Sequence, residues 1–187
     1  MTRTLVFGGA RSGKSAYAEG LAIASGKPVI YLATAQAGDA EMQSRIAHHQ
    51  ARRPAEWLSV EQPLALADAI AQYSRPDNVI LLDCLTLWLS NLLFSEHIEM
   101  PDIGAITPPA IFTEQRNLLL QALASCHGDL VMVSNEVGMG IIPQGAISRW
   151  FVDEAGRLNQ AVAAQCEQVV WVAAGLPLYL KSPASFS

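Results

Sequence analysis

Apolar residues recur along this chain as short unbroken runs, set apart by longer stretches in which apolar and polar positions mix. Residues 5–7, 29–33, 79–82, 130–133 and 169–173 form the runs. Rich in Val, Ile, Leu and aromatic side chains, they predict strands buried on both faces. Residues 57–61 predict a shorter strand, and the stretches 16–25, 39–53, 64–73, 84–94, 110–126 and 147–165 read as helices. Punctuation supports these bounds. Gly26 and Pro28 follow the first helix, Asp39 can cap the second before Pro54 ends it, and Arg75-Pro76-Asp77 closes the third. Gly20, inside the first helix, costs about 1 kcal/mol relative to Ala, and close packing on the sheet is its simplest reason. Strands alternating with helices predict an α/β fold, a parallel sheet with helices on both faces. The last run is expected to close the sheet. The 84–94 helix is apolar enough to be buried against that sheet or against a partner subunit. Residues 97–109, with Pro101, Gly104, Pro108 and Pro109, read as a long loop, the kind that serves as an interface or a lid. Residues 182–187 read as a disordered tail, which leaves 1–181 as a single domain.

Composition narrows the partners. With 187 residues, 51% hydrophobic and 16% charged, the chain suits one globular domain. A net charge of -5 without a basic cluster predicts no nucleic-acid partner. Cys84, Cys126 and Cys166 are odd in number and lack a CxxC, which predicts buried thiols in a reducing compartment. The chain enters a strand by residue 4 with no signal-peptide core, and its apolar stretches are too short for a membrane span, so a cytoplasmic protein is expected.

The chemistry begins where the first apolar run breaks. Gly8-Gly9-Ala10-Arg11-Ser12-Gly13-Lys14-Ser15 has the G-x-x-x-x-G-K-S spacing of a phosphate-binding loop. Glycines let backbone N–H groups close round a phosphate, and a helix starts at the anion. Lys14 reaches the β and γ phosphates, and the Ser15 hydroxyl is placed to ligate Mg²⁺. Strand, loop and helix in this order make the expected fold P-loop NTPase-like. Val79-Ile80-Leu81-Leu82-Asp83 is a buried strand ending in an acid, so Asp83 is either a second Mg²⁺ contact or one of many strand-end acids. Glu136 follows the 130–133 run at the edge where open α/β sheets bind ligands, and reads as a site carboxylate or a solvated loop acid.

Within 39–53, Glu41, Arg45, His48 and Arg52 recur at i, i+4, i+7 and i+11 and share a polar stripe, whereas Met42, Ile46 and His49 lie on the apolar shoulder. Arg149, Asp153 and Arg157 recur at i, i+4 and i+8 and are expected to pair along a solvated face.

The loop 8–15, Tyr31-Leu-Ala-Thr34, Glu41-Met-x-x-Arg-Ile-x-His-His49, Asn135-Glu-Val-Gly-Met-Gly-Ile-Ile-Pro143 and Gly156-Arg-Leu-Asn-Gln160 form a combination. Together they resemble the bifunctional adenosylcobinamide kinase/adenosylcobinamide-phosphate guanylyltransferase family of cobalamin biosynthesis, over residues 4 to about 175. The resemblance implies phosphorylation of adenosylcobinamide by ATP or GTP. It then implies transfer of GMP from GTP to adenosylcobinamide phosphate through a guanylylated His48, with release of pyrophosphate. It implies nucleotide contacts at Gly8, Gly9, Ala10, Arg11, Ser12, Gly13, Lys14, Ser15, Thr34, Ala35, Gln36, His49, Gln50, Ala51, Arg52, Glu61 and Asp83, with Mg²⁺ at Ser15 and Asp83. It also implies a homotrimer. Residues 96–109 follow no pattern of the family, and Val152 stands where some relatives carry a basic residue. A plain P-loop kinase for a small alcohol and a GTP-regulated binding protein are the alternatives that the residues themselves leave open.

Overall fold

Each apolar run becomes a strand in the computed structural model, which describes residues 1–35, 54–96 and 101–182. The strands are β1 (Arg3–Gly8), β2 (Val29–Ala33), β3 (Leu58–Glu61), β4 (Val79–Asp83), β5 (Asp129–Asn135), β6 (Gln168–Ala173) and β7 (Leu176–Lys181). The helices are α1 (Lys14–Ala24), α2 (Leu66–Tyr73), α3 (Leu85–Leu93), α4 (Ala110–Ser125) and α5 (Ala146–Gln165). The helix expected over 39–53, with Gln36, His48, His49, Gln50, Ala51 and Arg52, lies outside the described residues, as do 97–100 of the long loop and 183–187 of the expected tail.

The sheet has seven strands in the order β3-β2-β4-β5-β1-β6-β7. Its side chains divide by parity between two cores, as the two-residue period of a strand requires. Leu5, Leu32, Ile80, Leu82 and Met132 pack with α2, α3, α4 and α5 on one face. Val6, Tyr31, Val79, Leu81 and Val133 pack with Ala18 and Ala22 of α1 on the other. Burial on both faces is why the strands read as continuous apolar runs rather than alternating ones. The α3 helix is taken up by this core: Leu85, Trp88, Leu89, Leu92 and Leu93 are all buried, so the sheet and not a partner covers them. All three cysteines are free and buried.

Three expectations are corrected. The sheet is mixed rather than parallel, because β6 does not close it. Ala174 and Gly175, with φ of +51° and +78°, turn the chain into β7, which runs antiparallel to β6 along the edge. Two consecutive positive φ values are what a two-residue hairpin needs, but Ala174 is not one of the residues that announce such a turn, and Pro177 speaks against a strand except at an edge. Gly20 is exposed, with nothing within 4 Å of where a Cβ would lie, so close packing does not explain it. Along α5, Arg157 pairs with Glu154, which also receives Arg116 at 3.3 Å, while Arg149 reaches the Pro143 and Gln144 carbonyls. Asp153 is not what either arginine meets.

Candidate active site

Parallel strands bring their C-terminal ends to one rim of the sheet, and the residues with chemistry collect there. Gly8 is in register with Asn135, Asp83 with Val133, and Ala33 with both Asp83 and Glu61. One strand, β5, therefore separates the strand bearing the phosphate loop from the strand ending in Asp83.

The loop itself is shaped by backbone. Ser12 N donates to Gly9 O at 3.2 Å, and Gly13, at φ +94°, turns the chain into α1. A Cβ on Gly8 would sit 2.2 Å from the Val172 carbonyl oxygen, so only glycine lets the loop pass β6 this closely. The hairpin buttresses the loop from behind. Gly175 N donates to Ser12 O at 2.8 Å, and the Tyr17 and Tyr179 hydroxyls meet at 2.7 Å, tying α1 to β7. Burial, followed by that contact with Tyr179, pushes the Tyr17 phenol up to about 12.

What the loop leaves open suits an anion. Helix α1 starts without a side-chain cap or an acid in its first turn, so its leading N–H groups remain for a ligand. The Ser12 hydroxyl is buried with no hydrogen-bond partner among the described residues. Lys14 folds back on the Gly9 carbonyl at 3.2 Å. Burial lowers its pKa, against the pull of Cys84 and Asp83. A phosphate would supply the charge and the acceptors that these groups lack. Gly9, Ala10, Arg11 and Ser12 line a cleft of about 350 Å³, whose other walls are Glu136, Met139 and residues 171–174 of β6 and the hairpin.

Asp83 receives the Tyr31 hydroxyl on Oδ2 at 3.0 Å. Beside it, burial and then the Asp83 charge push the Cys84 thiol up to about 12, which keeps it neutral. The half-buried Asp83 carboxylate and the Ser15 hydroxyl are hard oxygen donors, the type that Mg²⁺ takes alongside phosphates and water. Thr34 is fully buried: its hydroxyl donates to Cys84 O and accepts from Cys84 N, both at 2.8 Å, and its carbonyl accepts from Asn91. Its side chain thus splints the ends of β2 and β4. Ala35 lies just past β2, and Glu61 is exposed at the end of β3. The rim thus unites the phosphate loop with Thr34, Ala35, Glu61 and Asp83; the other expected site residues fall outside the described ones.

A model of the family described as "Cobinamide kinase / cobinamide phosphate guanyltransferase" matches residues 4–180. The chain belongs to this family. It is accordingly a bifunctional kinase and guanylyltransferase. Among curated relatives, the bifunctional adenosylcobalamin biosynthesis protein CobP of Pseudomonas aeruginosa is 49% identical, covering 96% of this chain and 97% of its own. The similarly named CobU of Salmonella typhimurium is 41% identical, covering 95% and 98%. Likeness to solved structures is confined to the fold. The type III secretion ATPase EscN of enteropathogenic E. coli is similar at a TM-score of 0.53 and 14% identity, over 92% of this chain and 43% of that one. A Pyrococcus horikoshii protein is similar at 0.55 and 7% identity, over 98% and 88%. Both fit an α/β fold with a mixed sheet and flanking helices.

Two participants in the site carry no decisive mark in the sequence. The 174–175 turn has no recognisable signal. Glu136, which the sequence leaves open between site and solvated loop, stands in the wall of the phosphate-loop cleft.

Proposed function

We propose that the phosphate loop binds the triphosphates of ATP and GTP in the manner of a P-loop NTPase and that one rim serves both reactions of the family. The observation that carries this reading is the unpartnered buried Ser12 hydroxyl beside the half-buried Lys14 ammonium at an uncapped helix start. Gly8 to Ser15 hold the phosphates, with Lys14 on the β and γ groups; Ala35, Gln36, His49, Gln50, Ala51, Arg52, Glu61 and Asp83 complete the nucleotide contacts, while Thr34, fully buried with its hydroxyl on the Cys84 backbone, braces the rim and does not touch the nucleotide. Ser15 and Asp83 hold Mg²⁺, which when bound draws charge from the phosphate oxygens. In the first step the acceptor hydroxyl attacks the γ-phosphorus. In the second, the neutral imidazole of His48 attacks the α-phosphorus of GTP, pyrophosphate leaves, and GMP passes to the acceptor phosphate. Arg45 and Arg52 stand three residues before and four residues after His48 in the sequence, and cationic neighbours favour the neutral imidazole that carries the attacking lone pair. The protein works in the cytoplasm as a homotrimer; among the described residues no helix is long and apolar enough to cross a membrane.

Incubation with GTP labelled in the α-phosphate and Mg²⁺ leaves acid-labile, alkali-stable label on the protein, and GTP labelled in the γ-phosphate leaves none. His48→Ala loses the label while keeping kinase activity. Label that survives in His48→Ala and disappears in His49→Ala would move the nucleophile to the neighbouring residue.

A further inference from the structure

The cleft beside the phosphate loop is small, whereas a corrinoid is far larger than a nucleotide. About 350 Å³ shared with a triphosphate leaves room for the acceptor's aminopropanol arm but not for its macrocycle. The macrocycle therefore has to rest on a surface that adjoins the cleft. Among the described residues, the segment that leaves β5 is a surface of this kind. Leaving β5, the chain passes Glu136 and then exposes Met139, Ile141 and Ile142 at 75%, 98% and 77% of their surface. Single exposed apolar side chains are ordinary, but three within four residues at the mouth of the cleft make an apolar patch of the kind that marks binding surfaces. Met139 belongs to the patch and to the cleft wall at once, so the two are continuous.

The root of this segment is tightly placed. Asn135 N donates to the Thr86 hydroxyl at 2.7 Å, and Glu136 N donates to Gly8 O at 3.0 Å, which fastens the acid to the first residue of the phosphate loop. Glu136 Oε1 accepts from Gly138 N at 2.7 Å, and a Cβ on Gly138 would come within 3.1 Å of that oxygen. The carboxylate is thereby aimed from a fixed backbone and keeps further lone pairs for a ligand.

We propose that segment 136–142 is the acceptor site: Met139, Ile141 and Ile142 seat the apolar face of the corrinoid, and Glu136 takes the proton of the aminopropanol hydroxyl in the phosphorylation step. The hydroxyl oxygen forms the new bond to the γ-phosphorus as the bond to the β-bridging oxygen breaks. The nucleoside diphosphate leaves with that electron pair, and the hydroxyl proton passes to a Glu136 oxygen and then to solvent. This inference rests on the reading of the phosphate loop given above.

Glu136→Gln tests it sharply, because glutamine still accepts from Gly138 N–H but cannot take a proton. Phosphorylation of adenosylcobinamide by ATP should fall at least about 100-fold in kcat, the scale of a lost general base. Binding of a fluorescent GTP analogue and labelling of the protein by GTP should be retained. Wild-type kcat in Glu136→Gln overturns the proton role. The double variant Ile141→Ser/Ile142→Ser should raise KM for adenosylcobinamide at least about tenfold with kcat kept, the scale of lost apolar contact. An unchanged KM overturns the seat, and a changed oligomeric mass with unchanged KM assigns the patch to contact between copies instead. If the wild-type protein itself neither takes label from GTP nor phosphorylates adenosylcobinamide, the fault lies in the underlying reading; a working wild type with indifferent variants refutes this inference alone.

Discussion

Two segments share the rim of the sheet and are held in opposite ways. The phosphate loop is braced at Gly8 and Ser12: Ser12 bonds to Gly9 and to Gly175, and Gly8 is pressed against the Val172 carbonyl. Segment 136–142 is fixed at its root, by Thr86, Gly8 and its own Glu136, and beyond that Gly140 has nothing within 4 Å of where a Cβ would lie. On the function proposed above, the braced segment is the one that meets the triphosphate, where fixed donors gain most from preorganisation. The open one faces outward with apolar side chains, as a surface for a large ligand requires. Order is concentrated where charge must be met at defined points.

The contrast can be broken most forcefully at Lys14. Lys14→Ala should lower corrinoid phosphorylation by about 100- to 1000-fold, the usual scale for a lost charge-stabilising group. Phosphorylation at the wild-type rate would take the loop out of the chemistry. Asp83→Asn should cost about tenfold, with part restored by excess Mg²⁺ or Mn²⁺, since a neutral oxygen still coordinates but more weakly. An unchanged metal dependence in an activity titration returns Asp83 to ordinary strand-end acids.

Stability sharpens the same comparison. Gly8→Ala forces a methyl onto the Val172 carbonyl and should destabilise by about 1–3 kcal/mol in urea unfolding, whereas Gly140→Ala should stay within about 0.5 kcal/mol. Equal effects would remove the distinction between a braced and an open segment. At its far end, the strand bearing the loop is anchored by Arg3, whose guanidinium meets Glu167 at 2.5 Å. That hydrogen bond holds the Glu167 carboxyl at about 2, below its ordinary 4.5. A depressed folded-state pKa stabilises above the unfolded value, so this contribution is full above about pH 4.5 and is lost as pH falls towards 2. Glu167→Gln should flatten that part of the acid-unfolding curve, and a curve identical to wild type would show the pair to be inert. Smallest, and of opposite sign, Gly20→Ala at an exposed position of α1 should stabilise by about 0.5–1 kcal/mol in thermal unfolding.

The same division governs what is legible in the amino-acid sequence. The strand, glycine-rich turn and helix start of residues 3–24 are legible because their spacing states a local mechanism, and the strands, β4 with Asp83 at its end among them, are legible because two covered faces leave no polar interruption. The hairpin is not: its turn opens on Ala174, and Pro177 and the half-exposed pattern of Leu176, Leu178 and Leu180 lack the buried-strand signature. Glu136 is legible as a strand-end acid but not as a neighbour of Gly8, because β1 and β5 are far apart in sequence and only their register brings the two together. Thr34 matches a family pattern, yet nothing in the sequence indicates that its side chain is consumed by the Cys84 backbone.

The bond from Gly175 N to Ser12 O turns the hairpin into a reporter. Its amide proton is already given to the Ser12 carbonyl, and the length and direction of that bond depend on where the carbonyl points. In an amide-resolved nuclear magnetic resonance spectrum, the Gly175 signal should therefore register occupancy of the loop without competing for it. A glycine resonance of this kind gives nucleotide titrations an internal gauge that needs no fluorescent analogue and no turnover.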